Sequence, residues 1–187
     1  MLKRKAFYFL RHGETDWNLA RRLQGQTDIP LNENGREQAR AVGHAVAQLD
    51  IGKVYASPLG RAYETAQLAS SNNNVEIEVA KSLQEVTIGE RDGDLVGDWF
   101  YQWKAGEIEV AGAEKWSDFR VRIIDGINII LESEENALLV SHGGVYGALT
   151  GAINITPEVH IGNCMLLHLT PAPQNDEDWL VEVLFKA

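Results

Sequence analysis

The chain has 187 residues, 44% hydrophobic and 24% charged, with a formal net charge of −10 from 17 Lys+Arg against 27 Asp+Glu. This is the composition of one globular domain with a sizeable core, and its acidity, offset by no basic run, argues against general nucleic-acid binding. The single cysteine, Cys164, excludes an intramolecular disulfide and a cysteine metal cluster, which fits a reducing, cytoplasmic setting.

No stretch approaches the ~20 apolar residues of a membrane helix. The apolar run that follows the basic Lys3-Arg4-Lys5 is too short for a signal peptide.

Ala6–Leu10 reads as a continuous apolar strand, the pattern of a central parallel strand. It stops abruptly at Arg11-His12-Gly13-Glu14-Thr15. Residues 11–31 hold Gly13, Gly25, Asp28 and Pro30, so they are expected to be loop with a helical turn near Trp17. A helix follows, capped by Asn32 or Asn34, with Ala39, Val42, Val46 and Leu49 on one face. Lys53–Ala56 is a short strand, and Pro58 suits the first turn of a helix reaching about Ser70.

Val75–Ala80 is another candidate strand, and the glycines and charges of 82–97 predict irregular structure. Trp99, Phe100, Tyr101 and Trp103 cluster before a break at Gly106, as core or as lid. Trp116, Phe119, Ile123, Ile127 and Ile130 recur at helical spacing. Ala137–Val140 reads as a buried strand ending in Ser141-His142-Gly143-Gly144, with a helix over 145–153. Met165–Leu169 and Leu180–Phe185, joined through residues 171–176, predict an antiparallel hairpin at the sheet edge. Strand–helix alternation predicts an α/β three-layer sandwich: a mostly parallel central sheet, helices on both faces and an antiparallel edge strand.

Three strands thus end in polar signals: Arg11-His12-Gly13, Ser57-Pro58-Leu59-Gly60-Arg61 and Ser141-His142-Gly143. Ligands of open α/β sheets bind beyond the carboxyl ends of strands. If these strands are parallel and adjacent, His12, His142, Arg11 and Arg61 converge. Four cationic or potentially cationic groups in one crevice repel one another until an anion binds, and guanidinium groups suit phosphate. Histidine beside bound phosphate suggests nucleophilic catalysis, which needs a general acid with a raised pKa; Glu85 and Glu14 are the candidates. Metal binding is the weaker use of these histidines, because neither has a second His or Cys at ligand spacing. His44, His160 and His168 read as structural or solvated, and Cys164 as a small buried hydrophobe.

Arg11-His12-Gly13-Glu14-Thr15 with Trp17-Asn18 resembles the opening motif of the histidine phosphatase superfamily, which includes the cofactor-dependent phosphoglycerate mutases. Gln24-Gly25, Pro30-Leu31, Ser57-Pro58-Leu59 with Arg61-Ala62, Leu83-Gln84-Glu85, Gly112 with Glu114, and Ser141-His142-Gly143-Gly144 continue that pattern in order over residues 6–165.

The resemblance implies that His12 accepts the phosphoryl group as phosphohistidine and that Glu85 protonates the leaving group. It implies that Arg11, Arg61 and His142 hold the phosphoryl oxygens, with Asn18, Gln24, Gly25 and Gly143 in the phosphate or substrate site. No metal and no cofactor are implied. A pH optimum at or below neutral follows, with His142 carrying its charge.

The chain departs from the family's pattern at Arg91 and Asp92, where an aromatic and Glu are usual. It also departs at Val110-Ala111, where a Pro is common, and at Gly147, where an Arg is common. Residues 91–115, least like the family, are expected to be a substrate-capping insertion within a single domain over 1–187. The preferred activity is a metal-independent phosphomonoesterase. The alternatives are a phosphoglycerate-type mutase and a catalytically inactive phosphate-binding interaction module. Only 56 residues separate Glu85 from His142, shorter than the resemblance implies for mutases. The expected partner is a small phosphorylated molecule, with neither nucleic acid nor membrane, and a homodimer stays open.

Overall fold

The computed structural model describes residues 1–175 and 177–187. A seven-stranded sheet forms the middle layer. Its strands are β1 (Phe7–Arg11), β2 (Val54–Ala56), β3 (Ile77–Val79), β4 (Leu138–Ser141), β5 (Asn154–Thr156), β6 (Leu166–Pro171) and β7 (Asp178–Phe185). Their order is β3-β2-β4-β1-β6-β7-β5. The pairs β2–β3, β2–β4, β1–β4 and β5–β7 are parallel, and β6 runs antiparallel to both β1 and β7.

Successive strand side chains point to opposite faces, and the two cores follow that period. Phe7, Phe9 and Leu139 join one core, against Phe119, Ile123 and Ile127 of α5 (Trp116–Ser133). Leu10, Leu138 and Val140 join the other, against Ala39, Val42 and Val46 of α2 (Glu33–Val46) and Ala66 and Ala69 of α3 (Gly60–Ala69). The result is the three-layer α/β sandwich that the alternation predicts. No helix among the described residues is long and apolar enough to cross a membrane.

Local signals account for most element ends. Asn32 caps α2 by accepting from the Gly35 N–H at 2.8 Å, the preferred use of Asn at such a position. The turn near Trp17 is α1 (Asp16–Leu19), held by a capping box between Thr15 and Asn18. The aromatic cluster forms α4 (Asp98–Ala105), ended by Gly106 at φ 76, a left-handed conformation that glycine adopts without penalty. The helix expected over 145–153 is α6 (Gly143–Thr150), starting directly after His142.

One strand escapes the sequence pattern. β5 has three residues of mixed exposure, and it adds to the outer side of β7, so the hairpin lies one strand in from that margin. Within the connector of that hairpin, Asp176 lies outside the described residues.

Candidate functional site

The strand order places β4 between β1 and β2, all three parallel, so the three polar strand ends converge. Past the strands the pairing continues: the His12 N–H donates to Ser141 O at 2.9 Å, and the Ser57 N–H to Val140 O at 3.0 Å. His12, His142 and Arg61 are buried, at 3%, 0% and 1% exposure. The two imidazole rings lie 5.2 Å apart, centroid to centroid. A cavity of about 460 Å³ opens over these ends, and Arg11, His12, Arg61, Glu85 and Gly143 line it. Asn18, Gln24 and Gly25 line it as well. His142 lies beneath, held by a 2.7 Å contact from its Nε2 to Ser57 Oγ, with its Nδ1 unpartnered among the described residues.

Hydrogen bonds orient each group. His12 Nδ1 lies 2.7 Å from Gly13 O. A carbonyl only accepts, so the proton sits on Nδ1 and the lone pair is left on Nε2. Arg61 donates from Nη1 to Thr27 O at 2.9 Å and from Nη2 to Gly25 O at 2.8 Å. Arg11 donates from Nη1 to Ile161 O at 2.9 Å. Among the described residues the Nε of each arginine is buried without a partner, as is Gln24 Oε1. A buried donor left unpaired costs free energy, and an oxyanion would satisfy both guanidinium groups at once.

Glu85 reaches the cavity from the irregular 82–97 segment. Its Oε2 accepts from the Gly144 N–H at 2.9 Å and its Oε1 from the Val86 N–H at 2.9 Å. A Cβ on Gly144 would lie 2.2 Å from Glu85 Oε1, so only glycine lets the carboxyl dock on the first turn of α6. The backbone beneath Glu85 is held from several sides. Arg122 donates to Ser82 O and Gln84 O at 3.0 and 2.9 Å and pairs with Glu114 at 2.8 Å, while Gln26 donates to Glu85 O at 2.9 Å.

Burial sets the protonation states. It pushes the Glu85 carboxyl above its usual range, outweighing the two backbone donors and the two arginines that favour the anion. Burial, and then Arg61 and Arg11, hold both imidazoles well below the usual histidine value. The unliganded site therefore combines a neutral His12, a neutral His142 and a carboxyl biased toward its acid form. The charge that the sequence reading gives His142 is opposed by its surroundings, first by burial and then by Arg61.

Several residues that the sequence does not single out are central here. Asn163 donates from Nδ2 to His12 O, Gly13 O and Asn18 Oδ1 at 3.0, 3.2 and 3.1 Å, tying the loop after β1 to α1. Cys164 is buried as expected, but its backbone at φ 47 also turns its N–H onto Arg11 O and His12 O. Thr65 accepts from the Gly13 N–H at 3.0 Å. Asn163 precedes a strand in no motif, and only its position in space marks it. His160, read as a bystander, lines the cavity.

Glu14 is a support: its Oε1 accepts from Asn32 and Asn34 at the start of α2. The departures at 91 and 92 serve packing. Arg91 pairs with Asp94 at 3.0 Å and stacks on Trp99, and Asp92 accepts from Thr27 Oγ1 at 2.7 Å. α4 is both core and cavity wall, since Trp103 is buried while Phe100 and Lys104 line the cavity. Among the described residues no group of three His, Cys, Asp or Glu side chains could hold a metal ion.

A three-layer α/β sandwich with two arginines, two histidines and one carboxyl gathered at its strand ends defines a phosphate-handling class of protein. The chain belongs to the histidine phosphatase superfamily (branch 1), whose model matches residues 7–179. It is 32% identical over 193 aligned positions to a probable phosphoglycerate mutase GpmB of Serratia proteamaculans, covering 94% of this chain and 90% of the relative. A mycobacterial glucosyl-3-phosphoglycerate phosphatase superposes with a TM-score of 0.80 at 25% identity, over 97% of this chain and 98% of that one. A phosphoglycerate mutase from Thermus thermophilus superposes with a TM-score of 0.76 at 27% identity, over 97% and 99%. Relatives thus carry the names of both mutases and phosphatases.

Proposed function

We propose that the protein is a metal-independent phosphomonoesterase working through a phosphohistidine at His12. The observation that carries this reading is the Nδ1–Gly13 O hydrogen bond, which leaves the Nε2 lone pair available beside two guanidinium groups. Nε2 attacks phosphorus, the ester P–O bond breaks, and the leaving oxygen takes the Glu85 proton. Glu85, now ionised, takes a proton from water. That water attacks the phosphohistidine, the P–N bond breaks, and inorganic phosphate leaves.

Arg11, Arg61 and a His142 that gains its proton as the anion binds stabilise the charge on the phosphoryl oxygens, the task a metal ion performs elsewhere. Asn18, Gln24, Gly25 and Gly143 complete the phosphoryl end. Residues 91–115 act as the cap of a single domain, through the Phe100 and Lys104 walls. The substrate is a small phosphorylated molecule, with no nucleic-acid or membrane partner. The buried, unreactive Cys164, its thiol pushed up to about 12 by burial, fits a cytoplasmic setting. A homodimer is compatible with this reading.

A second reading, a mutase that returns the phosphoryl group to a rebound intermediate, is favoured by the name of the GpmB relatives. The short 85–142 interval supports the phosphatase. In EDTA the protein should hydrolyse p-nitrophenyl phosphate and yield an acid-labile phosphoprotein on quenching, and His12→Ala should abolish both. Full activity in His12→Ala removes the nucleophile assignment. Absence of both turnover and phosphoprotein in the wild type removes both enzymatic readings and leaves the inactive phosphate-binding module. Transfer between phosphoglycerates that outpaces hydrolysis establishes the mutase.

A further inference from the structure

Another part of the cavity wall is built by α4 and α6. Lys104 lines it from α4 and is half-buried. Its Nζ lies 4.2 Å from the centroid of the Trp116 ring and 5.7 Å from that of Phe100. Three other partly buried cations of this acidic chain meet carboxylates: Lys53 meets Glu78 at 2.7 Å, Arg36 meets Glu64 at 2.7 Å and Arg122 meets Glu114 at 2.8 Å. Among the described residues Lys104 has only the aromatic faces and the more distant field of Glu85, whose oxygens are taken by backbone N–H groups. Ring faces offset part of the cost of desolvating an ammonium group but satisfy none of its hydrogen-bond donors.

Tyr146 lines the same cavity from α6, and its buried hydroxyl is also without a partner among the described residues. Gly147 leaves the wall there open: a Cβ on it would come no closer than 3.9 Å to Trp116. The remaining charged groups of this wall are Glu158, which is exposed, and Arg22, whose Nη1 is committed to Gly93 O at 2.8 Å. One ammonium group unmatched by a described carboxylate, on a cavity whose wall also carries Glu158 beside Tyr146, suits a single negative charge.

We infer that Lys104 is a specificity residue. It receives an anionic group of one negative charge on the leaving-group portion of the substrate, whose apolar part lies on Trp116 and Phe100. This rests on the reading of His12 and Glu85 as the phosphoryl-transfer pair.

The test compares phenyl phosphate, 4-carboxyphenyl phosphate and the uncharged 4-(hydroxymethyl)phenyl phosphate. In the wild type, kcat/KM for the carboxylate should exceed that for phenyl phosphate about tenfold, mainly through KM, with no comparable gain for the hydroxymethyl compound. Lys104→Met should bring the ratio near one, and Lys104→Arg should retain most of it. Thermal unfolding of both variants checks that the fold is intact. A carboxylate preference that is absent, that survives in Lys104→Met, or that the hydroxymethyl compound matches overturns the inference. Calorimetric binding of the same three compounds reads the preference without turnover. No hydrolysis of any of them, with the carboxylate preference present in binding, rejects the phosphatase reading and leaves the Lys104 assignment standing.

Discussion

Two parts of the cavity wall are built by different means. At the phosphoryl end the polar side chains are aimed by backbone: His12 by Gly13 O, Arg61 by Gly25 O and Thr27 O, Arg11 by Ile161 O, and Glu85 by the N–H groups of Val86 and Gly144. On the α4 wall Lys104 leans on Trp116 and Phe100, rings that themselves meet Trp103 and Phe119 edge-on or tilted. Hydrogen bonds to main-chain groups fix direction closely, whereas aromatic contacts define a surface and leave the ammonium group free to turn. The chemistry needs direction, since misplacement of about 1 Å can cost 10²-fold. Discrimination between leaving groups needs only a shaped and charged wall.

That contrast breaks most visibly at Glu85. Glu85→Gln keeps the shape and removes the transferable proton, so kcat/KM for phenyl phosphate should fall by about 10²–10⁴-fold. The loss should be much smaller for 2,4-dinitrophenyl phosphate, whose leaving group needs no proton. In the wild type the rate should decline as pH rises, because the carboxyl, held above its usual range by burial, loses its proton. That alkaline limb should vanish in Glu85→Gln, and a wild-type rate still climbing above pH 8 contradicts the assignment.

A sharper comparison uses two glycines of one helix. Gly144→Ala would place its methyl 2.2 Å from Glu85 Oε1, and turnover should drop by about 10²-fold as the carboxyl is displaced. Gly147→Ala, one turn away, meets Trp116 at ordinary contact distance. It should change phenyl phosphate turnover by no more than about twofold, with a slightly raised melting temperature from the better helix former. Equal losses at the two glycines would erase the distinction between the two parts.

The smallest effect is on stability. Both imidazoles have folded-state pKa values held below the unfolded value of about 6.5. The unfolded chain therefore binds more protons in mild acid, and stability is lost as pH falls. The loss between pH 8 and pH 5.5 is on the order of 1 kcal/mol for each such histidine. Glu85, raised rather than lowered, works in the opposite direction above about pH 4.3. His142→Asn should therefore show a shallower decline in urea stability between these pH values than the wild type. An unchanged slope would mean that His142 is not held neutral by the fold.

The phosphoryl end is far more legible in the sequence than the other. An apolar strand stopping at Arg11-His12-Gly13, repeated as Ser141-His142-Gly143, states both the strand and what stands at its end. Parallel adjacency then does the rest. The α4 wall carries no comparable mark, because Lys104 is one cation in an amphipathic segment whose facing depends on how α4 lies against α5. β5 escapes for a similar reason: three residues of mixed exposure hold no period, and their pairing with β7 depends on tertiary contact alone. Asn163 escapes because its partners His12 and Gly13 lie 151 and 150 positions away in the chain.

That separation has a consequence for how the molecule is made. β1 is synthesised well before its partners β4 and β6, which begin at Leu138 and Leu166. Until those residues emerge, Phe7, Phe9 and Leu10 form an apolar ribbon with both edges unpaired, the kind of segment that invites aggregation. Contacts of such long sequence separation also slow folding. The His12 imidazole is thus made long before Asn163, whose side chain secures the Gly13 carbonyl that the ring faces.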